Sequence, residues 1–233
     1  IPFGTSQAEV VAEHADGTRT WRYASNSTGG ILYAGDYVRQ DIEAGGITIE
    51  FYYGRKHQAV MEAAGAADAV RAVVDYCTEH YGALSFGTGD TLKLIQSRVA
   101  GGGYAVDGAS LLNEDNFTTV NLDDRSKGAV PGETFIHELV HQWWGLGNMF
   151  DVGDETSPWS SEGLTVYTTY RIVKELYGSD YAQKYYVDQW QRDVDDYYLN
   201  FYVRHPEYLE KLPETERLNI AGSLSGVRHY SEM

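Results

Sequence analysis

Cysteine is almost absent: Cys77 is the only one in 233 residues, so no disulfide forms within the chain and the redox compartment cannot be read from it. Its place in a helical pattern marks it as a small buried hydrophobe. No apolar run reaches the roughly 18 residues that a membrane-crossing helix requires. No charged-then-apolar leader opens the chain, although a fragment starting at Ile1 would have lost one. Localisation therefore stays open between the cytoplasm and the extracytoplasmic part of a larger secreted or membrane-associated bacterial protein. Basic residues are scarce, with 18 Lys and Arg against 34 Asp and Glu and a net charge of −16. The clustered cations that a phosphate backbone needs are missing, which excludes nucleic acid as a partner. Most of the acids read as a solvated surface, and an acidic rim at a cleft would favour cationic peptide termini.

Repeats and low-complexity tracts are absent as well, and 233 residues suffice for one large domain or one domain plus a fragment. What the chain does contain runs from β to α. Residues 18–23, 30–38 and 47–53 are aromatic and β-branched in the manner of strands, with Gly45-Gly46 as a hairpin turn. Residues 57–81 repeat apolar side chains at helical spacing through Val60, Ala64, Ala67, Val70, Val74 and Cys77, a core-facing stripe. Short strands are expected over 91–96, 109–112 and 117–121, a long helix over 180–203, and irregular structure or short helices beyond Pro206.

Residues 137–141 read His-Glu-Leu-Val-His. On an α-helix His137 and His141 stand one turn apart on one face, so both imidazoles reach a single ion. Glu138 lies about 100° around the axis, beside the metal's open position instead of on the metal. Val130-Pro131-Gly132-Glu133 supplies the helix start, and Trp143, Trp144 and Leu146 continue the apolar face until Gly145 and Gly147 break it. A catalytic zinc takes three protein ligands and a water. Position 147 is Gly, which excludes the class whose third ligand is a histidine there. The third ligand comes from Glu162 or from Asp151, Asp154 or Glu155 in the preceding loop. Glu162 is preferred because residues 160–177 are helical in pattern, and a helix holds a ligand more rigidly than a Gly-Asp-rich loop.

His-Glu-Leu-Val-His-Gln-Trp-Trp-Gly at 137–145 and Ser-Glu-Gly-Leu at 161–164 resemble the paired zinc motifs of the aminopeptidase N type family of gluzincin metallopeptidases. Twenty residues separate His141 from Glu162, two more than is usual in that family, and a loop insertion between 151 and 157 absorbs them. The likeness runs over roughly residues 20–180. It implies an α+β, thermolysin-like catalytic domain at 54–233, truncated at its C-terminal end, behind a remnant of an N-terminal β-domain at 1–53. The chain is accordingly expected to be part of a larger polypeptide. The resemblance also implies one Zn2+ per chain on His137, His141 and Glu162, Glu138 as general base, and a peptide substrate. The family's Gly-x-Met-Glu-Asn strand has its counterpart in Gly101-Gly102-Gly103-Tyr104, but no acid stands where that motif's Glu holds the substrate's amine; Asp107 is the nearest carboxylate in sequence. Tyr230, sixty-eight residues after Glu162, falls in the interval where the family places its oxyanion-binding tyrosine. The expected activity is aminopeptidase-like zinc-dependent peptide hydrolysis. The alternatives are an endopeptidase of the same fold, or a non-catalytic zinc-stabilised module that binds peptides.

Overall fold

A computed structural model describes residues 2–4, 7–24, 31–84, 91–98, 102–117, 132–148 and 159–230. The chain divides into two compact units, Ile1–Trp143 and Trp144–Met233. In the first unit, β1 (Pro2–Gly4) pairs with β4 (Leu32–Ala34), and β2 (Gln7–Glu13) pairs with β3 (Arg19–Ala24), both antiparallel. The strand expected over 30–38 is interrupted by a bend at Gly35-Asp36. There Asp36 O accepts the Arg55 N–H at 2.9 Å, and the chain resumes as β5 (Tyr37–Ala44).

The main sheet has five strands in the order β5, β6 (Ile47–Gly54), β7 (Thr91–Ser97), β9 (Ala109–Asn113), β8 (Gly103–Val106). Gly45 and Gly46, at φ +57° and +79°, close the β5–β6 hairpin, since both positions of such a tight turn favour positive φ. Strands β6, β7 and β9 run parallel, and the two edge strands β5 and β8 are antiparallel to their neighbours. Covering on both faces explains why β7 is buried along nearly its whole length.

Helices α1 (Gln58–Ala63), α2 (Ala66–Tyr81) and α3 (Glu133–Val140) complete the unit. One helix was expected over 57–81. The structure breaks it at Gly65, whose φ of +64° is the left-handed conformation that ends helices. Helix α2 packs on β5 and on α3, and α3 packs on β8 and β9. Phe51, Phe117 and Phe135 meet here with centroids 5.8–6.2 Å apart. Phe117 lies in a 3₁₀ turn, Glu114–Phe117, rather than at the head of a strand; the rest of the strand expected over 117–121 falls outside the described residues. The opposite sheet face carries Tyr52, Ile95 and Leu111, with Tyr33 and Tyr37 packed against them. On that face Lys93 is buried 3.9 Å from Glu50, which also accepts from the Tyr52 hydroxyl at 2.9 Å and pairs with Arg39 at 3.1 Å. Burial pushes the Lys93 ammonium pKa down, and Glu50 opposes that shift.

The second unit is helical. A π-turn, Trp159–Gly163, leads into α4 (Leu164–Tyr177), followed by α5 (Ser179–Ala182), a second π-turn and α6 (Asp188–Leu199). The expected continuous helix over 180–203 ends at Asn200, which is extended (ψ 133°) and caps α7 (Phe201–Arg204) by accepting the Tyr202 N–H at 2.9 Å. Beyond Pro206, where irregular structure or short helices were expected, the short α8 (Pro206–Leu209) is followed by the 17-residue α9 (Glu214–Tyr230), which runs on despite Gly222 and Gly226. No described helix is long and apolar enough to cross a membrane.

Candidate metal centre

Helix α3 starts behind Gly132, whose extended backbone (φ −74°, ψ 170°) takes the N-cap position, with Glu133 complementing the helix dipole in the first turn. It ends sooner than the apolar pattern suggests: Val140 is its last residue and His141 its C-cap. His141 nevertheless keeps helical angles, and its N–H donates to His137 O at 3.1 Å. The two histidines therefore stay one turn apart, with ring centroids at 4.6 Å and planes at 86°. Beyond them Trp143 turns inward and donates its indole N–H to Gly82 O at 2.8 Å, while Leu146 is exposed.

Glu162 lies in the π-turn before α4, half-buried, among Ser160, Gly163 and Thr165, which are buried. One ligand atom from each of His137, His141 and Glu162 lies within 4.8 Å of the others. Two imidazoles and one carboxylate match the ligand set of a catalytic zinc, and three protein donors leave the open position that a four-ligand structural site lacks. By donor type and convergence these residues fit zinc. The competing loop acids Asp151, Asp154 and Glu155 lie outside the described residues.

Glu138 is buried at 7% exposure, and the reason lies on the neighbouring strand. A Cβ at Gly103 would stand 2.7 Å from Glu138 Cδ and 2.8 Å from Oε1, and one at Gly102 would collide with the Thr134 side chain. Only a strand without side chains at these positions lets β8 pass this close to α3. Gly103→Ala is expected to destabilise the protein by about 1–3 kcal/mol, the usual cost of overpacking, measured by urea unfolding. A variant as stable as the parent would show that β8 backs away freely.

Two residues with no role assigned from sequence tie this corner together. Ser110 Oγ donates to Glu138 O at 2.6 Å. Gln142, fully buried next to His141, accepts the Gly108 N–H through Oε1 at 3.1 Å and donates through Nε2 to Val106 O at 3.0 Å. The sequence signal for Gln142 was an amide inside an apolar run, a group that must find partners when buried. Of the expected substrate-binding residues, Gly102, Gly103 and Tyr104 lie on or beside β8, the outer strand of the sheet, with Tyr104 exposed. Asp107 is exposed in the β8–β9 turn, just before Gly108 at φ +72°. Gly101 lies outside the described residues. Tyr230 ends α9, whose body packs on the π-turn that carries Glu162; its side chain lies outside the described part.

No protein-family model and no curated protein sequence matches the chain. Solved structures do. Legionella pneumophila aminopeptidase A in complex with aspartic acid superposes with a TM-score of 0.59 at 17% identity, over 76% of this chain and 22% of that one. Yeast LTA4 hydrolase in complex with bestatin gives 0.57 at 15% identity, over 87% and 30%. An M1 zinc metallopeptidase from Deinococcus radiodurans gives 0.51 at 16% identity, over 85% and 41%. The chain thus spans less than half the length of each of these structures. Its structural neighbours are M1-family zinc aminopeptidases, and its five-stranded mixed sheet with flanking helices has the fold of their peptidase domains.

Proposed function

We propose that the chain is the catalytic part of a zinc-dependent, aminopeptidase-like metallopeptidase that holds one Zn2+ on His137, His141 and Glu162. The observation that carries this reading is the convergence of those three ligand atoms within 4.8 Å, with the neighbouring Glu138 buried on the same helix. A structural zinc would have no use for a buried carboxylate in that position. Zinc, when bound, supplies a Lewis acid that polarises the scissile carbonyl and acidifies water.

The chain's own residues do the rest. Glu138 accepts a proton from the attacking water on a carboxylate oxygen and returns it to the departing amine nitrogen. The backbone of Gly101–Tyr104, whose described residues lie on or beside the sheet's outer strand, aligns an extended peptide as an added strand. The Tyr230 hydroxyl donates to the developing oxyanion. Asp107 is the carboxylate assigned to the substrate's free amine.

One observation favours an endopeptidase instead: residues 102–106 read Gly-Gly-Tyr-Ala-Val, so β8 itself carries no acid to hold an ammonium group. Zinc-loaded protein should be offered one peptide with a free N-terminus and the same peptide acetylated, with and without chelator. The aminopeptidase reading expects acetylation to lower cleavage by about 30-fold or more, the cost of losing a desolvated charge contact, and chelator to abolish it. Equal cleavage of both peptides would establish the endopeptidase. No cleavage of either would count against catalysis.

A further inference from the structure

Strands β6, β7 and β9 all deliver their carboxyl ends to one place in the first unit, and the residues just beyond those ends are charged: Arg55 and Lys56, Arg98, and Glu114. They line an open cavity of about 620 Å³, walled on another side by Tyr33 and Tyr37. The volume suits a small organic ligand, and ligands of parallel sheets characteristically sit beyond the strands' carboxyl ends.

The charges there do not balance among themselves. Arg55 is matched by Asp36 at 2.9 Å. Glu114, however, is shared by Lys56, with which it is in direct contact, and Arg98, at 3.8 Å, so among the described residues two cations face one carboxylate. His57 adds a third approach to the same carboxylate, at 3.4 Å. Contact with Lys56 first, then with His57, holds the Glu114 carboxyl below the usual carboxylate range.

An amide donor joins them. Gln96 is 6% exposed and lines the cavity; its Oε1 accepts the Gly54 N–H at 2.9 Å, while its Nε2 meets no acceptor among the described residues. An amide donor on the wall of an open cavity is available to an acceptor that enters it.

We propose that this cavity is a binding site for a small-molecule carboxylate, held by Gln96 Nε2, Lys56 and Arg98. A carboxylate beside Glu114 offsets the excess positive charge of the cluster. The planar guanidinium of Arg98 and the planar amide of Gln96 match a planar acceptor pair better than a tetrahedral one. The site is independent of the metal centre.

The test is calorimetric titration of the zinc-loaded protein with succinate, its neutral diamide succinamide, and inorganic phosphate, repeated on Arg98→Glu and on His141→Ala. Arg98 is 91% exposed, so its replacement leaves the fold intact. Succinate is expected to bind the parent and His141→Ala alike, to bind Arg98→Glu at least tenfold more weakly, and to outcompete both other probes. Four results would overturn the proposal: no succinate binding, affinity unchanged in Arg98→Glu, succinamide or phosphate binding as tightly as succinate, or binding lost in His141→Ala, which would place the probe on the metal.

Discussion

Glu138→Gln is expected to lower peptide hydrolysis by about 10²–10⁴-fold, the range for removing a general base, while leaving one zinc per chain. The substitution keeps the side chain's length and shape in a place where both matter, because Gly103 leaves room for that carboxyl and little else. It removes only the capacity to take up a proton. Steady-state kinetics beside atomic absorption on the same sample separate the two effects. Turnover persisting at parental rate would take Glu138 out of the mechanism, and loss of zinc would show that it belongs to the ligand set.

His141→Ala should lose the metal: zinc content falls from one per chain toward zero, because two protein donors do not hold the ion as three do. A second readout follows from linkage. A ligand that binds only the folded state stabilises it by about 4 kcal/mol at a thousandfold excess over its dissociation constant. The parent's melting temperature should therefore rise with added zinc and the variant's should not. His141 is buried to 9% exposure, so the variant's fold is checked by its circular dichroism. Undiminished zinc in a folded His141→Ala would dismiss the ligand assignment.

The ligand pair was legible because a helix of fixed pitch converts spacing directly into facing, and the observed angles of His141 preserve that relation although the helix stops at Val140. The strands at 19–24, 47–54, 91–97 and 109–113 showed themselves by side-chain type. Their partners did not, since alternation within one strand says nothing about which other strand lies beside it. The parallel union of β6 with β7 is accordingly a property of the fold that neither strand's own side chains announce. Breaks were the hardest to read. Gly65 interrupts a stripe that continues undisturbed on either side, because apolar periodicity reports burial and not the sign of φ. Helix α9 erred the other way: its glycines suggested a break, a helix propensity weak enough for tertiary packing to override. Short β8 opens on Gly103, just after Gly102, and showed no strand signal; its importance lies in what those two glycines omit.

Gln142 ties the turn between the two last strands of the sheet to the segment that bears His141, through Gly108 N–H on one side and Val106 O on the other. The histidine and the hairpin cannot drift apart without stranding a buried amide. The placement of His141's segment against the β8–β9 hairpin is thus set once, when the chain folds.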